Sequence, residues 1–84
     1  MFTVYILQNT ISKRFYIGST NDIRRRIDEH NRGQSISTNR KGTWLLKYYE
    51  EYNSNIKAKR RERKIKAYKG GNGFKKLIAG VVQR

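Results

Sequence analysis

The chain has no cysteine, one histidine, and six acids against twenty lysines and arginines. Without thiols there are no disulfides and no thiolate metal sites, and the redox compartment is left open. A lone imidazole excludes any metal site built on several histidines. So few carboxylates make a poor two-metal cage. No apolar run approaches the ~20 residues of a membrane-spanning helix. The N-terminus has no basic segment followed by an apolar one, so it does not read as a secretory signal. A cytoplasmic protein without membrane attachment is expected. No internal repeat or linker divides the sequence, and residues 1–84 read as one domain with a small core.

Positive charge is what the chain has in excess. The net charge is +14, with a pI near 10.6. Such a balance favours polyanion partners, nucleic acid first and an anionic membrane surface second. Hydrophobic residues still make up 36% of the chain, aromatics included, which is enough for a compact fold rather than a disordered basic tail.

Phe2 to Gln8 is rich in β-branched and aromatic residues and reads as a strand. Asn9 to Lys13 turns the chain, and Arg14 to Ser19 reads as a second strand. Thr20-Asn21 starts a helix, with Asp22 suited to its positive first turn. Ile23, Ile27 and His30 fall at i, i+4 and i+7, the spacing of a buried stripe. Asn31 to Thr43 is a polar, basic loop. Trp44 to Glu51 reads as a third strand. Asn53 or Ser54 caps a second helix to about Lys69, with Ala58, Ile65 and Tyr68 as a thin apolar stripe, and Gly70-Gly71 breaks it. Phe74, Leu77, Ile78 and Val81 mark a last amphipathic helix. The order is ββαβαα. It predicts an α/β (α+β) fold, a three-stranded antiparallel or mixed sheet flanked by helices.

Two tyrosine tripeptides stand out, Val4-Tyr5-Ile6 and Tyr16-Ile17-Gly18. Strands paired through the intervening turn would hold both phenols close on one sheet. Arg26 and His30, at i and i+4, share a face of the next helix. Two phenols, a guanidinium and an imidazole can bind a phosphate and move a proton. A plainer reading stands beside each. A strand tyrosine is commonly a core aromatic. Arg26 can be one of three arginines on a solvated helix face. His30 can complement a helix C-terminus. Gly18 reads as a position of close backbone approach.

Glu62 is a second anomaly. Residues 53–84 carry eleven lysines and arginines and this one acid. It can form an i,i+4 pair with Lys66, worth only ~0.3–0.5 kcal/mol. It can also ligate a divalent cation, because its spacing from Ala58 and Ile65 puts it on the core-facing side. Spacing alone leaves both readings open.

In order, these blocks resemble the GIY-YIG nuclease domain. Val4-Tyr5-Ile6 stands as a degenerate first motif, and Tyr16-Ile17-Gly18 is the intact second. The stretch from Gly18 to Asn31 is similar to the next block; Thr38, Trp44 to Tyr49, and Ala58, Glu62, Ile65 and Lys66 follow in family order. The likeness runs from Thr3 to about Ile78. In length it resembles the small stand-alone branch, similar to excision-repair nucleases, which suggests DNA repair. It implies metal-dependent hydrolysis of a DNA phosphodiester. Tyr5 and Tyr16 would be active-site phenols, Arg26 the phosphate contact, His30 a proton-relay partner, and Glu62 the ligand of one Mg²⁺ or Mn²⁺. Family members often carry a further asparagine near the final helix. Asn72 is the nearest here, and a helix cap is the simpler role for it.

Tyr5 is the expected general base and Tyr16 the next choice. A phenol of pKa ≈ 10 is short of ionisation at pH 7 by ~4 kcal/mol, so neighbouring cations such as Arg26 would have to lower it. Arg24, Arg25, Arg32, Thr38, Arg40, Lys41, Arg61 and Lys66 form the expected nucleic-acid surface. Phosphate contacts of this kind give affinity without sequence information. The expectation is therefore a monomeric endonuclease that is structure-dependent or weakly sequence-specific. Two alternatives share the charge: a non-catalytic nucleic-acid-binding module on the same fold, and a small RNA- or ribosome-associated protein. Neither explains the paired tyrosines and Glu62.

Overall fold

Side chains alternate along the first strand, and that alternation builds two cores on opposite faces of one sheet. The computed structural model describes residues 1–32 and 42–79. The expected contacts of Thr38, Arg40, Lys41 and Val81 lie outside the described residues. Three strands, β1 (Phe2–Asn9), β2 (Phe15–Thr20) and β3 (Trp44–Tyr52), form a sheet of order β2-β1-β3. Both pairings are antiparallel. The helices are α1 (Ile23–Asn31), α2 (Asn55–Ala67) and α3 (Asn72–Ala79). The element order is the expected ββαβαα, and the sheet is antiparallel rather than mixed.

Tyr5 and Leu7 point to one face and pack with Trp44, Tyr16 and the α1 residues Ile23 and Ile27. Val4 and Ile6 point to the other and pack with Ala58, Ile65 and Phe74 of α2 and α3. Val4, Ile6, Leu7 and Ile65 are fully buried, and each such side chain stabilises the fold by ~1.5–3 kcal/mol.

Local chemistry sets the boundaries. Asn9 closes β1 rather than opening the turn outside it. Its side-chain oxygen accepts from the amides of Ile11 and Ser12 at 2.9 and 3.0 Å, an Asx-type turn. Lys13 takes a left-handed φ of 66° to complete the hairpin. Asp22 caps α1 through the Arg25 amide at 3.1 Å, so the helix starts one step later than Thr20-Asn21 suggested. Ser54 caps α2. Asn31, at the end of α1, both donates to the Trp44 carbonyl and accepts from its amide. That two-point bond ties α1 to the start of β3. No helix among the described residues is long and apolar enough to cross a membrane.

Candidate active site

The register of β1 against β2 sets the centre of the site. Tyr5 lies opposite Gly18, and Leu7 lies opposite Tyr16. The two tyrosines are thus diagonal neighbours on one face, with ring centroids 6.3 Å apart and planes 14° from parallel. A Cβ at position 18 would stand 2.6 Å from the Tyr5 hydroxyl oxygen and 2.9 Å from Cζ. Gly18 is therefore the space in which the Tyr5 phenol lies. The close approach expected at this glycine is made by a side chain, not by backbone.

Arg26 reaches over both phenols from α1. Its Nε donates to the Tyr5 hydroxyl at 3.2 Å and an Nη to that of Tyr16 at 3.4 Å. The other Nη bonds Glu29 at 2.9 Å. These bonds hold Arg26 firmly protonated, those to Tyr5 and Glu29 most of all. Glu29 escaped the sequence reading, although an acid at i+3 from an arginine is a legible pairing signal.

Tyr5 is only 1% exposed. Burial pushes its phenol above the ordinary value, and the Arg26 hydrogen bond and charge do not offset this; Tyr16 and Glu62 add to the rise. Arg26 alone thus fails to lower Tyr5 in the way the mechanism was expected to need. Tyr16 is the more accessible of the pair.

His30 is 2% exposed. Its ring sits edge-on to Tyr16 at 4.4 Å between centroids and against Trp44 at 6.0 Å. Neither ring nitrogen has a hydrogen-bond partner among the described residues. Desolvation, then the Arg26 charge, lower its pKa and favour the neutral ring. The phenols meet through Arg26, and no bond to His30 extends that chain.

Glu62 comes from α2 on the opposite face. The Ser19 hydroxyl donates to it at 2.7 Å, and Lys66 pairs with its other oxygen at 2.9 Å. Lys59 lies 3.9 Å away. The carboxylate is 15% exposed. Desolvation pushes its pKa up, but Lys66 and Ser19 outweigh it and hold Glu62 ionised. Both readings of Glu62 thus have a counterpart: the i,i+4 pair forms, and the carboxylate also turns inward to the sheet. Ser19 gave no sequence signal of its own. It follows Gly18 directly, so two consecutive residues of an edge strand present the tyrosine pair on one face and Glu62 on the other.

Arg61 turns away from this edge. Its guanidinium grips Glu50 through Nε at 3.0 Å and an Nη at 3.0 Å, and the Tyr48 and Tyr52 hydroxyls donate to the same carboxylate. Its charge is committed inside the fold, whereas Arg24, Arg25, Arg32 and Lys66 are exposed, Arg25 and Lys66 pairing at the surface with Glu29 and Glu62. Asn72 is the first residue of α3.

The chain sets paired tyrosines at a glycine of a small antiparallel sheet, with an arginine over them and one helix carboxylate, and the family it matches is one of nuclease-type domains. The family model described as the GIY-YIG catalytic domain matches residues 1–75, and the chain belongs to the GIY-YIG family. It is 36% identical over 67 residues to the UPF0213 protein VNG_2274C of Halobacterium salinarum, covering 79% of this chain and 86% of that protein. It is also similar to the solution structure of the UPF0213 protein BH0048 of Bacillus halodurans. There the TM-score is 0.59 and the identity 28%, over 94% of this chain and 84% of that one. The chain is thus a small GIY-YIG protein of the UPF0213 type.

Proposed function

We propose that the protein is a divalent-metal-dependent endonuclease that hydrolyses DNA phosphodiesters at the β2 edge, with structure-dependent or weakly specific cutting. One observation carries this reading: Arg26 bridges the Tyr5 and Tyr16 hydroxyls above Gly18, while Glu62 is held ionised at the adjacent Ser19. A core needs neither a guanidinium across two phenols nor an inward carboxylate on a basic helix.

The donor set suits a single hard cation. Glu62 is an ionised oxygen donor beside a hydroxyl, and Mg²⁺ commonly takes one or two carboxylates plus substrate phosphate and water. No group of three acids or histidines clusters among the described residues, so the chain's own donors fit one ion and not a caged pair. When bound, such an ion supplies charge at the phosphate and at the departing oxygen.

The chain's own groups do the rest. Arg26 turns its charge-assisted bonds from the phenols to the scissile phosphate. That movement opens the Tyr5 hydroxyl to solvent, and its own proton passes to water. The phenolate left beside the Arg26 charge takes the proton of the attacking water, while the bond from phosphorus to the departing oxygen breaks and that oxygen is protonated from solvent. Lys66, released from Glu62, neutralises a neighbouring phosphate. Arg24, Arg25 and Arg32 hold the backbone without reading bases, so binding weakens steeply with salt. The accessibility of Tyr16 favours a second assignment, with Tyr16 as the base and Tyr5 as the support of Arg26.

Labelled single-stranded, duplex and branched DNA with Mg²⁺, Mn²⁺ or EDTA test the proposal, with Glu62→Ala as control. The expected result is metal-dependent cleavage lost in the control. Tight binding without cleavage on any substrate would replace the nuclease with the binding module. Tyr5→Phe and Tyr16→Phe assign the base: the variant that folds and binds but does not cut identifies it.

A further inference from the structure

Across the sheet from the tyrosine pair lies an aromatic that the mechanism does not use. Tyr49 on β3 is the direct register partner of Tyr5 on β1. Paired residues of adjacent strands point to the same face. Gly18, Tyr5 and Tyr49 therefore form one row across three strands, two strand spacings or about 10 Å wide. Tyr5 is buried, but Tyr49 is 55% exposed. Among the described residues no aromatic ring stacks on it, and no side-chain hydrogen bond fixes its hydroxyl. An open groove of about 420 Å³ runs along Leu46–Glu51 beside it.

An exposed tyrosine contributes little to the fold it stands on. Beside a phosphate site in a chain of net charge +14, its ring is a stacking surface for a base. The neighbouring charges set what can sit there. By register Glu51, the partner of Thr3, flanks Tyr49 on its face, while the register shift after Ile6 leaves Lys47 unpaired. The Glu51 carboxylate repels a phosphate, and the aromatic ring beside it offers a π-face instead. A base that stacks must first leave its own duplex stack, which an unpaired nucleotide does at least cost.

We infer that Tyr49 is a stacking platform for an unpaired base of the nucleotide next to the phosphate held at Arg26, and that it gives the protein a preference for single-stranded or frayed DNA. The inference rests on the nucleic-acid reading proposed above and adds a specificity-determining residue to it. The row explains the placement: the phosphate lies at the β2 side, and the base attached to that backbone reaches across buried Tyr5 to the exposed ring on β3.

The test is equilibrium binding of fluorescein-labelled single-stranded and duplex oligonucleotides in EDTA, read by anisotropy, for wild type and for Tyr49→Ala, Tyr49→Leu, Tyr49→Phe and Tyr49→Trp. Thermal melts accompany each variant, and an exposed side chain should leave them unchanged. Tyr49→Ala and Tyr49→Leu are expected to weaken single-strand binding by about 5- to 150-fold and duplex binding by less than about 2-fold. Tyr49→Phe and Tyr49→Trp are expected to bind as wild type or tighter. A Leu variant as tight as Phe would replace stacking with plain apolar contact and overturn the inference. So would equal losses on both DNAs, or no loss on either. Wild type that binds neither DNA would overturn the nucleic-acid reading itself, a result separate from wild-type binding that Tyr49→Ala leaves untouched.

Discussion

Gly18→Ala is the sharpest test of how the site is built. Its φ lies outside the left-handed region, since only Gly42 and Gly70 among the described glycines have positive φ. Alanine can therefore adopt the backbone, and the whole effect comes from the new methyl group. That methyl would stand 2.6 Å from the Tyr5 hydroxyl oxygen, 2.9 Å from Cζ and 3.3 Å from Cε1 of Tyr16, against an ordinary contact of at least 3.4 Å. The Tyr5 ring must retreat by close to an ångström. It has little room, being stacked on Tyr16, edge-on to His30 and capped by Arg26. Overpacking of this kind costs about 1–3 kcal/mol. Loss of the Arg26 bond adds ~0.5–1.5 kcal/mol. A chain of this size should then lose ~1–2 M in its urea midpoint, read by circular dichroism. The double variant Gly18→Ala/Tyr5→Phe sharpens the test. Removing the hydroxyl removes the closest contact, so the pair should be less destabilised than the sum of the singles by about 0.5–3 kcal/mol. Strict additivity, or a Gly18→Ala midpoint equal to wild type, would refute the claim that the glycine exists to seat the phenol.

Arg61→Ala should act on stability rather than as a uniform loss of DNA affinity, because its guanidinium is bound to Glu50; a drop of about 1–3 kcal/mol in urea melts is expected, and a pure affinity loss would count against it. The same network predicts pH limits at both ends. Desolvation pushes Glu50 up, but Arg61, Tyr48 and Tyr52 outweigh it, so its folded pKa lies below normal. Its contribution is present above about pH 4.3 and lost as pH falls through the folded value; Glu50→Gln should flatten that acid limb. Burial, then Glu50, push Tyr48 and Tyr52 up to about 12. Their contribution is full below pH ~10 and lost toward about 12, and spectrophotometric titration should show three late-ionising tyrosines, these two and the buried Tyr5. His30→Leu removes two buried nitrogens that have no partner among the described residues, so stability should hold within about 1 kcal/mol or rise; unchanged cleavage in that variant would exclude a proton-relay role.

The sequence by itself determined the local layout of this protein. Turn residues and β-branched runs marked the strands, periodicity marked the helices, and the i,i+4 relation of Glu62 to Ala58 put its carboxylate on the inward side before any strand was placed against it. These features depend on near neighbours in the chain, which is why a sequence carries them legibly. Boundaries moved where a single side chain decided them: Asn9 by accepting two amides, Asp22 by capping α1. Only the tertiary structure decided what the site residues touch. Ser19 and Glu62 are 43 positions apart, and Gly18 seats a phenol from another strand only because of the β1–β2 register. Arg61 looked like one more cation on a basic helix until Glu50, Tyr48 and Tyr52 from β3 came under it. His30 packs edge-on to Tyr16 and makes no hydrogen bond among the described residues. Register and helix phase are set by the packing of the whole core, and a one-residue slip would exchange the faces of every strand residue.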